Sequence, residues 1–357
     1  FDTKYYLLGF NNGVYDLQKN EFRDYQYSDY MTTRTGYNYV KSNEEDRNAI
    51  NEVINKIEVN KEKRDFLFTM LATGLIGKSY QKFIIFNGNG GNGKGFINAL
   101  MENALGDYYY KGNILTLCQE LKNGPNPEIA NMDKKRYINF SEPSENHMIE
   151  NSMYKRITGD EEINARACNS NKTKTKLLAT VVLEANKKPK LREEATDADI
   201  RRIIDFLFAS KFVENDDEVD EENNIFKRDN KINKLFYSKY KYAFMDILIE
   251  YANKFLNEDN EEFKIPQCVQ ERSNEYISQS YIYLEYLKEL CIKTEDKNDY
   301  VNINELFNKM KYTDMYINSS KVEKRKYTLK SMIDFFEKNK FTKNFYKASL
   351  NIMKNGV

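Results

Sequence analysis

The apolar positions along the chain change their period several times, and each change predicts an element. Phe1 to Phe10 is mostly apolar or aromatic, Asn11-Asn12-Gly13 is a turn signal, and Val14 to Leu17 resumes the extended pattern, which predicts a β-hairpin. Between about Glu44 and Gly77 the apolar residues fall at helical spacing in two groups, first Ile50, Val53, Ile54 and Ile57, then Phe66, Leu67, Met70 and Leu71. Two helices fit. Lys82–Phe86 is a short apolar run that ends in a glycine cluster, as expected of a buried strand. Phe96–Leu105 has a one-sided apolar face and is stopped by Gly106, so it reads as a helix. Tyr137–Phe140, Leu177–Leu183 and Ile203–Phe208 read as three more buried strands. Strands separated by helical stretches predict an α/β domain with a mostly parallel sheet.

Residues 214–222 hold seven acids and no base, a solvated stretch at a domain boundary, and helical spacing returns over 230–257 as a helical lid. Residues 321–357 carry ten Lys or Arg against three acids, and a basic helical domain of winged-helix type would fit. The expected organisation is therefore an accessory segment with hairpin and helices at 1–78, a core at 79–212, an acidic loop and lid at 213–268 and a basic domain at 269–357. The chain opens on Phe1 and is expected to be part of a longer polypeptide.

Composition narrows the chemistry. Lys plus Arg and Asp plus Glu are both 55, so a uniformly basic coat is excluded and any nucleic-acid site is local. One His, His147, excludes a His-rich metal site, and its position suits a structural role. The four cysteines form no CxxC pair, which fits an intracellular, reducing compartment. No apolar stretch reaches ~18 residues, so no membrane partner is expected. The Tyr and Phe residues read as packing residues.

Gly88-Asn89-Gly90-Gly91-Asn92-Gly93-Lys94 has the spacing GxxxxGK between a predicted strand and a predicted helix. Glycines let the backbone curl around phosphates with N–H groups pointing inward, the helix N-terminus adds positive potential, and the lysine reaches the outer phosphates. Nucleotide binding by Gly88 through Phe96 is the expectation, with Mg²⁺ alongside. The residue after the lysine is ordinarily Ser or Thr, whose hydroxyl holds the metal. Here it is Gly95, so a water or another side chain fills that place, or the metal is held weakly.

Three further groups fit such a loop. Glu142 follows the strand Tyr137–Phe140 and could order the metal and an attacking water. Asn186 follows Leu177–Leu183 and could hold a phosphate oxygen or the water. Arg201 and Arg202 precede the last strand, where they are either surface ion-pair residues or arginines that reach a neighbouring subunit's phosphate. Between acid and amide, residues 154–176 carry six bases against three acids and read as a hairpin with a basic tip, in which Lys172 and Lys174 could grip a phosphate backbone.

Taken together, GNGGNGKG at 88–95, NPEIANMDKKRYINFSEP at 126–143, YKRITGDEEINAR at 154–166, LLATVVLEANKKPKL at 177–191 and DADIRRIIDF at 197–206 resemble the superfamily 3 helicases. More narrowly, they resemble the helicase half of the primase–helicases of poxviruses, giant DNA viruses and some phages. FNNGVYDL at 10–17 resembles that family's accessory segment. The resemblance covers about 1–210 and departs at Gly95 and at Ser141, which replaces one of the usual acid pair. It implies an AAA+-like ATPase core in a hexameric ring that hydrolyses ATP with Mg²⁺ and moves along single-stranded or forked DNA, with an upstream primase domain. It also implies Lys94 as the loop lysine, Glu142 as the catalytic and metal-ordering acid, Asn186 as the sensor and Arg202, backed by Arg201, as a finger acting in trans. It places Lys172 and Lys174 on the hairpin in the channel. Two other readings stand beside it: an ATP-switched DNA-binding initiator or loader with little unwinding, and a nucleotide kinase or GTPase.

Overall fold

The computed structural model describes residues 1–121, 125–144, 146–165, 174–229, 234–258, 261–294, 301–319, 321–338 and 349–352. The chain divides into two compact units, Phe1–Ile277 and Ser278–Val357.

The first unit opens with a three-stranded antiparallel sheet of β1 (Leu7–Phe10), β2 (Gly13–Asp16) and β3 (Glu21–Arg23). The hairpin expected from the pattern is β1–β2, with Phe10 opposite Gly13. The third strand was not legible in the pattern, because only Phe22 of its three residues is apolar. Helices α1 (Glu44–Ile57) and α2 (Lys61–Ala72) follow. Each is started by an Asn whose side chain accepts an early backbone N–H, Asn43 from Asp46 and Asn60 from Lys63, which satisfies donors that the first turn leaves open.

The central sheet has five parallel strands in the order β8–β4–β7–β6–β5. They are β4 (Phe83–Asn87), β5 (Tyr109–Gly112), β6 (Tyr137–Ser141), β7 (Thr180–Ala185) and β8 (Ile203–Leu207). Phe83, Ile84, Ile85 and Phe86 are all buried, as a strand covered on both faces requires. Strand β7 lies three residues later than the apolar run Leu177–Leu183 predicts. It pairs from Thr180 and runs on through Glu184 and Ala185, because its register is set by both neighbours rather than by its own hydrophobicity. Strand β5 has no apolar alternation of its own and forms by pairing with β6. Helix α3 spans Lys94–Leu105, two residues earlier than the apolar face suggests, and ends at Gly106, where an added Cβ would lie 1.9 Å from the Thr35 carbonyl oxygen.

Helix α4 (Lys234–Leu256) contacts α1, α2 and α3, and its buried face, including Phe244, Leu248 and Ala252, belongs to the main core. Asp246 of this helix accepts hydrogen bonds from Tyr39 and from Ser42, tying the N-terminal segment to it.

The second unit contains helices Ile282–Leu290, Ile303–Met310, Asp314–Asn318, Lys321–Lys326 and Leu329–Lys338. An antiparallel strand pair, Cys291–Thr294 with Ser349–Ile352, accompanies them. Its own core is built on Tyr286, Leu306, Met310, Met332 and Phe336. Among the described residues no helix is long and apolar enough to cross a membrane.

Candidate functional site

Because the five strands are parallel, their carboxyl ends share one edge, and the sequence-predicted residues sort by that edge. Strand β4 runs into the glycine loop, β7 ends at Glu184 and Ala185 just before Asn186, and β6 ends at Ser141 just before Glu142. The register sets Glu184 beside Phe86 on one side and Ser141 on the other.

The loop is held by its own backbone requirements. Gly88, Gly91 and Gly93 have φ of 141°, 73° and 92°. A Cβ on Gly88 would lie 2.3 Å from Asn92 Nδ2 and 2.5 Å from the Phe208 carbonyl oxygen, and one on Gly93 would lie 2.6 Å from the Ile57 side chain. Asn92 Nδ2 donates to the Phe208 carbonyl at 3.2 Å, and the Phe212 N–H donates to the Gly91 carbonyl at 2.8 Å. The chain just after β8 therefore braces the loop from outside.

Lys94 is 3% exposed. Its Nζ donates to the carbonyls of Gly88 at 2.5 Å and Asn89 at 3.2 Å, to Asn92 Oδ1 at 3.1 Å and to Asn186 Oδ1 at 3.1 Å. All four acceptors are neutral. Burial pushes the Lys94 ammonium below the usual lysine range, and the Glu184 carboxylate opposes this. A desolvated cation at a helix N-terminus, with neutral partners, is suited to receive an anion. Its bond to Asn186 joins residues 92 positions apart and ties the loop to the end of β7.

Two cavities meet at this edge. One, of about 690 Å³, is lined by the loop from Gly90 to Phe96, by Val53 and Ile57 of α1, by Glu184 and Asn186, and by Phe236, Tyr237 and Tyr240 of α4. The Phe96 ring lies 5.7 Å from that of Phe236 and 5.6 Å from that of Tyr237. The other, of about 470 Å³, lies under Gly95 and is lined by Asn98, Asn139, Ser141, Glu142, Glu184 and Asn186 among others. The structure thus brings Lys94, Gly95, Glu142 and Asn186 together. It also adds Glu184, which belongs to both cavities. Sequence reasoning passed over Glu184 as the residue following a strand, although an acid two positions before the candidate Asn and in line with an apolar strand was a usable signal. It read the aromatics of α4 as packing, which Phe236, Tyr237 and Tyr240 do against the main core, and the same three also border the loop.

Arg201 and Arg202 lie elsewhere. They precede β8 and so occupy the amino edge of the sheet, roughly 17 Å from the loop at about 3.3 Å per strand residue. Arg202 donates to the Ala198 carbonyl and to Gln81 Oε1, both at 3.2 Å. Burial, then the neighbouring Arg201, holds its guanidinium below the usual range. Strands Glu162–Asn164 and Lys174–Lys176 pair antiparallel as the stem of the expected hairpin, and exposed Lys174 bridges Glu162 at 2.9 Å. Lys172 and the tip lie outside the described residues. His147 accepts the Ser144 N–H through Nδ1 within a turn.

Among the described residues no group of three or more His, Cys, Asp or Glu could hold a metal ion by itself.

Residues 1–66 match the family model described as D5 N terminal like. A mimivirus protein, L207/L206 of Acanthamoeba polyphaga mimivirus, whose name designates it a candidate helicase, is 27% identical over 87% of this chain and 33% of its own length. Primase D5 of fowlpox virus is 28% identical over 71% of this chain and 34% of its own. The chain thus spans about a third of the length of these relatives. The solved NrS-1 C-terminal region aligns with a TM-score of 0.48 and 13% identity, over 86% of this chain and 63% of that one. Through its N-terminal match and these relatives, the chain is similar to the primase and helicase proteins of large DNA viruses.

Proposed function

We propose that this chain is the motor part of an ATP-dependent DNA helicase of superfamily 3, which works as a ring with ATP at the subunit interfaces. The observation that carries this is the contact between Lys94 and Asn186 at the head of α3, where loop amides, a desolvated ammonium and an amide oxygen converge. A triphosphate fits there, with its outer phosphates at Lys94. The base would lie in the adjoining cavity against Phe96, Tyr237 and Tyr240. Asn186 would orient a phosphate oxygen or the attacking water, and Glu142 would take that water's proton.

Mg²⁺ fits the donor set, since such ions are held by one or two carboxylates together with substrate phosphates, and carboxylate oxygens border the cavity under Gly95. Bound there, it would neutralise phosphate charge. Glu142 is its expected holder.

Arg201 and Arg202 stand at the far edge of the sheet from their own loop, which supports action on a neighbour's triphosphate. The paired strands at 162–164 and 174–176 support a channel-facing loop with Lys172 and Lys174 as phosphate grips on single-stranded or forked DNA. An upstream primase domain in the same polypeptide is part of this reading.

A forked-duplex assay tests it. ATP-dependent strand displacement, abolished by Lys94→Ala, is the expected result; full unwinding by that variant rejects the assignment. A second reading, an ATP-switched initiator or loader, is favoured by Gly95 and Ser141, which both lack the metal-holding group usual at their positions. It predicts nucleotide-dependent assembly on DNA without strand displacement.

A further inference from the structure

Gly95 has no side chain and Ser141 carries a hydroxyl rather than a carboxylate, yet the space beside them is lined with oxygen. The cavity under Gly95 carries Glu102, Glu142 and Glu184 against Lys111, together with Ser141 and Asn139. Resting on the nucleotide reading above, we propose that Glu184, assisted by the amide oxygen of Asn139, joins Glu142 in holding the divalent cation here, standing in for the hydroxyl absent at Gly95.

Four observations converge on it. First, a Cβ added at Gly95 would lie 3.9 Å from Glu184 Oε1. The carboxylate therefore faces the place from which a Ser or Thr hydroxyl would project. Second, its other oxygen is fixed. Glu184 Oε2 accepts from Asn98 Nδ2 at 2.7 Å, and Asn98 Oδ1 in turn accepts from the buried Tyr137 hydroxyl at 3.1 Å. Such a relay orients a ligand without occupying its metal-facing oxygen. Third, Asn139 is 3% exposed and lines the same cavity. Its Nδ2 donates to the Tyr109 hydroxyl at 3.2 Å, while Oδ1 is buried without a hydrogen-bond partner among the described residues. A buried carbonyl oxygen without a donor is the exception in folded proteins, and a cation or its bound water satisfies it. Fourth, the strand register pairs Val182 with Asn139 and Glu184 with Ser141. Alternation then sets Asn139, Ser141 and Glu184 on one face of the sheet, the face that receives α3. Hard oxygen donors, two of them carboxylates, with phosphate oxygens completing the shell, match what Mg²⁺ or Mn²⁺ takes.

The test counts bound Mn²⁺ by electron paramagnetic resonance on the full chain loaded with adenylyl imidodiphosphate. Loading is measured separately in EDTA with a fluorescent form of the analogue. Glu184→Gln should weaken Mn²⁺ binding at least about tenfold without weakening analogue binding in EDTA, since it removes a negative charge beside the phosphates. Asn139→Leu should weaken it severalfold. Adding Gly95→Ser to Glu184→Gln should recover most of the loss by restoring the hydroxyl. Glu102→Gln removes the same charge about two helical turns away and should change the affinity less than about twofold. Wild-type Mn²⁺ affinity in Glu184→Gln and Asn139→Leu overturns the proposal, and so does an equal loss in Glu102→Gln, which would reduce the effect to cavity charge. If the wild-type chain fails to bind the analogue in EDTA, the nucleotide reading falls and the cation site falls with it. If analogue binding stands but Mn²⁺ is indifferent to Glu184, only the present assignment falls.

Discussion

At the carboxyl edge of the central sheet Lys94 is enclosed by four oxygen acceptors from its own loop and from Asn186. At the amino edge, Arg201, Arg202, Lys155 and Arg156 line a cavity of about 440 Å³ with Gln81 and the acids 160–162. There Arg202 Nε is buried without a hydrogen-bond partner among the described residues, and Lys82 is pushed below the usual lysine range by burial and by Arg201 and Arg202. One edge is organised around a cation whose contacts are complete within the chain. The other concentrates cations that raise one another's cost. The contrast fits a division of labour in which each chain supplies a pocket at one edge and charge for someone else's pocket at the other.

The largest expected effect tests that division. Arg202→Ala should lower ATP turnover about 10³-fold while leaving nucleotide binding to the same chain unchanged, as loss of a trans-acting arginine does. Mixing it with Lys94→Ala chains should recover part of the turnover, read by phosphate release. If mixed assemblies stay inactive although both variants assemble, the two edges do not share a site.

Next in size is the bracing of the loop. Gly88→Ala should cost about 2–3 kcal/mol in urea unfolding, because its Cβ meets Asn92 and the Phe208 carbonyl at a φ of 141°. Gly95→Ala should instead be neutral or stabilise the chain by about 0.5 kcal/mol, since the space there is open and helical alanine is favoured. Equal destabilisation by both would mean that Gly95 is a steric requirement.

The smallest effect concerns the amino edge. Lys82 binds its proton less tightly in the folded chain than in the unfolded one, so its burial, and then repulsion from Arg201 and Arg202, costs stability at neutral pH. That cost fades as pH rises through the lowered pKa toward the usual lysine range. Arg201→Gln relieves part of it and should stabilise the isolated chain by about 0.3 kcal/mol near pH 7, with the advantage shrinking as pH approaches 10.5. Thermal melts across that range check the sign, and a destabilised variant would mean that the cations are already matched within the chain.

The glycine loop, Lys94 and the helix after it were legible because sequence-local needs dictate them: a positive φ can be met by glycine, and a helix start must follow. Glu142 and Asn186 were legible from their positions after apolar runs. Glu184 was missed because β7 was placed three residues early, which put that acid outside the strand and hid its shared face with Asn139. Strand β5 was missed because its Tyr-Tyr-Lys-Gly run has no period of its own. The aromatics of α4 were assigned to packing because nothing in their spacing says that the helix crosses to the loop.

What the sequence by itself determined is therefore local: periodicity, turn chemistry and the loop spacing follow from steric limits on a few consecutive residues. Tertiary structure decided which strands are neighbours, and so that Glu184 and Asn139 open into one cavity while the arginines lie a strand length away. That choice belongs to strand register and burial, which depend on residues far apart in the chain meeting on one face.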